Sequence, residues 1–290
     1  VDQITKTTAA DRLAYLLEAL KPERRTRVVD IGANPLTAPP YKLLMDLDGC
    51  DVWGFEPQQS AYEDLIKLAG PREHYLPHAV GDGGDRVLNV CKASGFTSML
   101  EPNVAAFDYL GRFHRQGRVI QRIPFSTSRL DDLDMPQVDL VKIDIQGGER
   151  TVFENGRRML GGAVAVITEV AAIPLYVDQP LLDAQMAELR ESGYHLHKFM
   201  TFWAKPLKNI VSDGRARAVR SQLIDGDAVF VRALLELNTQ DTEWLKHLAV
   251  LSDGVFASFD LTVLVLQLLL DRRVITEAQL DTYMAKVVNG

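Results

Sequence analysis

With 290 residues and 47% hydrophobic content, the chain is long enough to bury one large core or two ordinary ones. A formal net charge of -7 argues against broad electrostatic attraction to nucleic acid or to an anionic membrane surface. Cys50 and Cys91 stand far apart and outside any CxxC spacing, which speaks against a disulfide framework or a zinc site and points to buried thiols in a reducing compartment, the cytoplasm.

The opening stretch VDQITKTTAADRLAYLLEAL is amphipathic, so it is expected to form a helix over about Ala9 to Leu20 and to be neither a signal peptide nor an anchor. Lys21 and Pro22 close it, and ERRTR leads into a strand, RVVDIG. A helix near Tyr41 to Leu47, a strand DVWGFEP, a helix SAYEDLIKLAG and a strand HYLPHAVG follow. Short apolar strands alternating with helices are the signature of parallel βαβ units, so the expected fold class is α/β, doubly wound, with helices on both sheet faces.

Residues 85–133 are less regular, with strands RVLNVCKA and VIQRIPFST around the loop GFTSMLEPN and a helix through FDYLGRF. Such insertions usually shape the substrate side of an α/β site. Alternation resumes with VDLVKIDI, the helix RTVFENGRRML, the strand AVAVITEV, the helix LLDAQMAELRESG and the strands HLHKFM and DAVFVRA. From about Asn238 only helices are expected: DTEWLKHLAVL, FDLTVLVLQLLLDRR and EAQLDTYMAKVV. The expected division is a helical segment over 1–27, a ligand-binding domain over 28–236 and a helical extension over 237–290. The extension cannot bury itself alone, and the stripe Leu261, Leu264, Val265, Leu268, Leu269 suits either the core or the seam of a homodimer. The run Leu261 to Leu270 falls short of the roughly 20 residues a membrane span needs.

Ligands in open α/β sheets bind outside the carboxyl ends of the strands. Four sets of polar residues fall there: Asp30 with Gly32 and Asn34; Glu56; Gly81 with Asp82; and Asp144 with Glu149. Glu56 lies 26 positions after Asp30, near the spacing of the acidic residue that accepts ribose hydroxyls in a dinucleotide fold. NAD and S-adenosylmethionine are then the leading ligands. The loop after Gly32 helps to separate them. A pyrophosphate needs close backbone approach and donated N–H groups, whereas Pro35, Pro39 and Pro40 lack N–H groups, and Leu36 and Ala38 add β-carbons. S-adenosylmethionine carries no phosphate, so the residue chemistry tilts toward the methyl donor. A nicotinamide-dependent oxidoreductase and a non-catalytic binding or dimerisation module are the competing readings.

The combination VVDIGAN, GFEPQ, AVGDGG, TSMLEP, SRLDDL, VKIDIQGGE and TEV resembles the FkbM-type methyltransferases, a branch of the class I S-adenosylmethionine-dependent enzymes, over about Val28 to Arg232. The resemblance implies a Rossmann-like sheet of seven strands with the last antiparallel, and O-methylation of a hydroxyl on a sugar, polyketide or similar small metabolite. Carried over by position, Asp30, Gly32 and Asn34 would border the methionine portion, Glu56 would hold the ribose, and Pro57 and Gln58 would lie near the adenine. Gly81 and Asp82 would line the adenine side, while Thr97 and Ser98 would close over the cofactor or present the substrate. Pro35 and Leu36 replace the glycine of the commoner family loop GANxG.

Methyl transfer to an alcohol needs alignment and a base. Lys142, Asp144 and Glu149 are the candidate catalytic residues: Asp144 or Glu149 as base, with Lys142 sharing a strand face with Asp144 and pairing with it. For Glu149 the structural alternative is that it caps and orients the helix beginning at Gly148. His78 is a weaker candidate base. His195 and His197 alternate on a late strand without nearby carboxylates; Asp144 with Glu169 offers oxygen ligands of the kind a divalent cation takes, but no compact set of metal ligands is evident, so no metal is expected. Arg215, Arg217 and Arg220 form a basic loop, read as a solvated linker or a contact for an acidic substrate.

Overall fold

The computed structural model describes residues 7–35, 37–208 and 219–290. Leu36, Arg215 and Arg217 lie outside the described residues.

The first helix, α1 (Ala9–Leu20), starts where Thr8 can cap it. The Thr8 hydroxyl accepts from the Asp11 N–H, and the Asp11 carboxylate accepts from the Thr8 N–H in return. It ends at Lys21, whose φ of 44° is left-handed. The main sheet uses β1 (Thr26–Ile31), β2 (Cys50–Phe55), β3 (Glu73–Leu76), β7 (Leu140–Ile143), β8 (Ala165–Ala171), β9 (Tyr194–Phe199) and β12 (Asp225–Arg232), in the order β3-β2-β1-β7-β8-β12-β9. Pairings along it are parallel except those of β12, which runs antiparallel to both β8 and β9. This is the mixed α/β, doubly wound, Rossmann-like sheet expected from the alternating pattern and the resemblance. The strand order reverses between β1 and β7, and a crevice opens there at the carboxyl ends.

Alternation along the strands divides the core into two layers. Val29, Ile31, Val141, Ile143, Val166 and Phe230 point to one face. There they pack with α5 (Glu149–Glu154), α6 (Arg157–Gly162) and α7 (Leu182–Glu191). Val28, Val52, Leu140, Val229 and Val231 point to the other, covered by α1, α2 (Lys42–Asp46), α8 (Thr242–Gly254), α9 (Phe259–Asp271) and α10 (Glu277–Val288). The C-terminal helices therefore pack on the main sheet together with α1. In the apolar stripe Leu261, Val265 and Leu269 are buried in that core, while Leu264 stays exposed.

Two expected elements come out differently, and one observed element was not expected. HYLPHAVG is two strands, β3 and β4 (Ala79–Gly81), parted at Pro77, which has no N–H for a ladder. β4 joins β5 (Asp85–Cys91) and β6 (Val119–Arg129) in a separate sheet of order β4-β6-β5. RTVFENGRRML breaks at Asn155 and Gly156 into α5 and α6. The small hairpin β10 (Ala204–Lys205) with β11 (Gln222–Leu223) has no counterpart in the sequence reading. α3 (Gln59–Leu68) and α4 (Val104–Leu110), the latter capped by Asn103, fall where helices were expected.

A buried polar cluster ties the two ends of the chain together. The Asp253 carboxylate on α8 accepts from Arg12 Nε on α1 at 2.5 Å and from the Tyr283 hydroxyl on α10 at 2.8 Å. The Arg12 guanidinium also lies 4.4 Å from the Phe259 ring centroid. Removing one partner of a buried pair leaves the other charge uncompensated, so Asp253→Ala is expected to lower stability by about 3–5 kcal/mol in a denaturant titration. Replacing the exposed Leu264 by Ala should change the midpoint by far less.

Candidate active site

Strands β1, β2 and β7 end side by side and deliver their terminal residues to one crevice. Asp30 opposes Gly54 on β2 and Lys142 on β7, and Ile31 opposes Phe55 and Ile143. At Gly32 the chain turns with φ of 82°, and the N–H groups of Gly32 and Ala33 both donate to the Phe55 carbonyl. A β-carbon at Gly32 would stand 2.1 Å from the Asp144 carbonyl oxygen, so only glycine lets β1 and β7 finish this close together.

The cleft over these ends measures about 900 Å³ with its open mouth. Gly32, Asn34, Glu56, Lys142 and Asp144 line its polar side. Pro57 and Gln58 with His78, Val80, Leu88 and Phe125 form a flatter, more apolar wall, and Thr97 and Met99 close it from the insertion. The Glu56 carboxylate, 8% exposed, accepts the Gln58 N–H at 2.6 Å through Oε1. Burial pushes its pKa up to about 7, with the Asp30 charge adding to the rise and the Gln58 N–H and Lys142 opposing it.

Asp30 stands one layer beneath the cleft. Its Oδ2 accepts from the Tyr41 hydroxyl at 2.6 Å, and its Oδ1 lies 3.0 Å from Lys142 Nζ. The second contact is electrostatic, because Oδ1 receives no hydrogen bond of acceptable direction. The expected pairing of Lys142 with Asp144 is corrected here: positions 30 and 142 are in register on adjacent strands, so Lys142 pairs with Asp30. Burial alone would lower the Lys142 pKa, but Asp30, Asp144 and Asp227 together outweigh it and hold the ammonium above its usual value.

The turn after β7 is held by side chains on both sides. Gln146 adopts φ of 59° and Gly147 φ of 105°, a left-handed pair that costs a non-glycine residue about 1–2 kcal/mol. Gln146 Nε2 donates to Asp144 Oδ1 at 2.9 Å and to Glu169 Oε2 at 3.0 Å, and its Oε1 accepts from the Tyr176 hydroxyl at 2.9 Å. Its carbonyl accepts from the Ser98 hydroxyl at 2.6 Å. Glu149 is buried beneath this turn, where Oε1 accepts the N–H groups of Ile145 at 3.0 Å and Gly147 at 3.1 Å. That is the geometry of the capping and orienting alternative. Burial pushes its pKa to about 7 against the pull of these N–H groups.

Several expected positions fall outside the cleft lining. Asp82 pairs with Arg86 and accepts from the Gly84 N–H, and Gly81 packs on Thr127; Ala79 and Val80 line the wall instead. Ser98 sits behind the cleft on the Gln146 carbonyl, whereas Thr97 lines it and accepts from the Cys91 N–H at 3.1 Å. The expected absence of a compact carboxylate set needs correction, since oxygens of Asp144, Glu149 and Glu169 lie within 4.8 Å of one another. The Gln146 amide bridges two of them, and burial followed by the charges of Asp144 and Glu149 drives the Glu169 pKa well up. His197 donates to or accepts from Ser258 at 2.5 Å, away from these groups. Sequence reading missed Tyr41, Gln146 and Tyr176 as site residues; Gln146, within KIDIQGGE, is the one whose position next to Asp144 could have flagged it.

A family model described as the methyltransferase FkbM domain matches residues 30–196. Among solved structures, magnesium protoporphyrin IX methyltransferase from Synechocystis PCC 6803 with bound SAM is 11% identical and covers 77% of each chain, with a TM-score of 0.38. A methyltransferase FkbM from Methylobacillus flagellatus KT is 15% identical over 50% of this chain and 33% of its own, with a TM-score of 0.33. TYW2 from M. jannaschii in complex with AdoMet is 12% identical over 77% of this chain and 74% of its own, with a TM-score of 0.31. No functionally curated protein matches the sequence.

Placing a methyl group at the crossing of β1 and β7 should be costly. Gly32→Ala is expected to destabilise the fold by more than about 2 kcal/mol in denaturant unfolding, from backbone strain and the displaced Asp144 carbonyl. An unchanged midpoint would show that the strand ends can part without penalty.

Proposed function

Because the chain belongs to the FkbM methyltransferase domain family, we propose that it transfers a methyl group from S-adenosylmethionine to a hydroxyl of a small metabolite, with Asp144 as general base. One observation carries this reading. Lys142 and Asp144 line both the cleft described above and a second cavity beside it, so a single carboxylate faces two compartments. A donor and an acceptor can then meet at Asp144 while remaining in separate pockets.

The residues present fit the cofactor. Among the described residues nothing donates to Glu56 Oε2, which leaves that oxygen for a ribose hydroxyl. Val80, Leu88 and Phe125 offer a face for a flat base, and Asn34 and Lys142 stand toward the end where an amino acid portion would lie. When bound, S-adenosylmethionine supplies an electrophilic methyl group on a sulfonium.

The side chains do the remaining work. Gln146 fixes Asp144 through Oδ1 and leaves Oδ2 to accept the proton of the acceptor hydroxyl. Lys142 and Asp30 keep a compensated charge pair under the reacting atoms. Glu149 serves the turn, since its Oε1 is engaged by two backbone N–H groups and it lines neither compartment. His78 lines the first cleft only, which makes it a weaker candidate for the role than Asp144.

Three outcomes follow. Asp144→Asn should lower kcat by about 10²–10⁴-fold, the usual contribution of a general base, with little change in S-adenosylmethionine affinity measured by calorimetry. Glu56→Ala should weaken that affinity by about 1.5–3 kcal/mol. A ribose hydroxyl donates to the ionised carboxylate, so binding selects the anion and should tighten as pH rises through about 7. In Glu56→Gln this rise should vanish; a rise that persists would assign it to another group.

A further inference from the structure

The second cavity measures about 730 Å³ with its mouth and sits over the carboxyl edge of the sheet, on the face covered lower down by α1 and the C-terminal helices. Strand alternation sets its chemistry. Asp227 points to the same face as Val229 and Val231, and Asp30 to the same face as Val28, so their carboxylates reach one space. Asp144 completes a set of three carboxylates around the single ammonium of Lys142.

That ammonium is already engaged by Asp30 at 3.0 Å. Asp227 accepts the Thr201 hydroxyl at 2.8 Å, and among the described residues no ion pair reaches it. Burial and the Asp144 charge both push its pKa up, with the Thr201 hydroxyl and Lys142 opposing, as for a carboxylate short of positive charge. Asp30 Oδ1, in a residue 3% exposed that lines this cavity, receives no directed hydrogen bond and is held only by the Lys142 ammonium at 3.0 Å. Ile167 and Met200 supply an apolar wall for a carbon skeleton.

We infer that this cavity binds the methyl acceptor and that the acceptor carries a protonated amine seated on Asp227, with the hydroxyl to be methylated turned toward Asp144. The class is an amino alcohol or amino sugar. A phosphate or carboxylate on the acceptor would meet Asp144 and Asp227 beside an ammonium already paired with Asp30, and be repelled. The inference rests on the methyltransferase reading of the same site. Asp227 is then a specificity residue, acting on acceptor choice and not on the cofactor.

The test uses the full chain loaded with S-adenosylhomocysteine, titrated by calorimetry with D-glucosamine and ethanolamine and with their N-acetyl counterparts. At least one amine should bind tenfold or more tightly than its N-acetyl form. Asp227→Asn should abolish that preference while leaving the dissociation constant for S-adenosylhomocysteine unchanged, which also reports an intact fold. Absence of any amine preference, or a preference that survives Asp227→Asn, overturns the inference and leaves the methyltransferase reading standing. Failure of the wild-type chain to bind S-adenosylhomocysteine overturns that reading itself.

Discussion

The candidate site is organised by one partly buried ammonium. Lys142 rises from β7 beside Asp30 on β1, in register across two parallel strands, and Asp30 is gripped from its other side by Tyr41. Taking such a pair out of water carries a desolvation cost of several kcal/mol per ion, which the mutual attraction offsets only if the geometry is held. Here it is held by the sheet ladder beneath and by the Tyr41 hydroxyl. The pair in turn fixes the strand ends from which Gly32 and Asp144 project. It therefore gives up some stability in return for a specified geometry at the crevice, and an apolar pair of similar volume would stabilise the sheet without setting the charge there.

Coverage of the sheet determines why the crevice is the place for chemistry. One face is packed by α5, α6 and α7, the other by α1 and the three C-terminal helices, whose polar tie through Asp253 locks the ends of the chain together. The carboxyl edge between β1 and β7 is left to loops, and those loops are stabilised from behind. Tyr176 and Ser98, from segments far apart in sequence, both hold Gln146, and the aromatic cluster of Phe96, Phe107 and Phe113 supports the insertion that carries Thr97 and Met99. Residues far apart in sequence thus govern the position of Asp144.

Much of this was legible in the sequence because it depends on local pattern. The short apolar runs of β1, β7 and β8 and the helices between them give the α/β class, and Asp30, Gly32, Glu56 and Asp144 stand at strand ends by chain order alone. The match of the FkbM family model over residues 30–196 agrees with the resemblance read from those motifs. What pattern could not supply was lateral placement. The partner of Lys142 depends on register between positions 112 residues apart, so local pattern points instead to the carboxylate two residues on. Whether Glu149 faces a ligand or the backbone depends on the left-handed turn at Gln146, which no local preference of glutamine announces. The parting of β3 from β4 at Pro77 redirected Gly81 and Asp82 into a second sheet and away from the cleft. Asp227, on the antiparallel last strand, reaches the site only through the sheet order.

The central claim is that a crevice ending in carboxylates, with a proline-rich loop in place of a phosphate-binding glycine loop, selects a methyl donor over a dinucleotide. Side-by-side calorimetric titration of the wild-type chain with S-adenosylhomocysteine and with NAD tests it most directly. The account predicts saturable one-site binding of S-adenosylhomocysteine and at least a hundredfold weaker binding of NAD. Equal or tighter binding of NAD would contradict it.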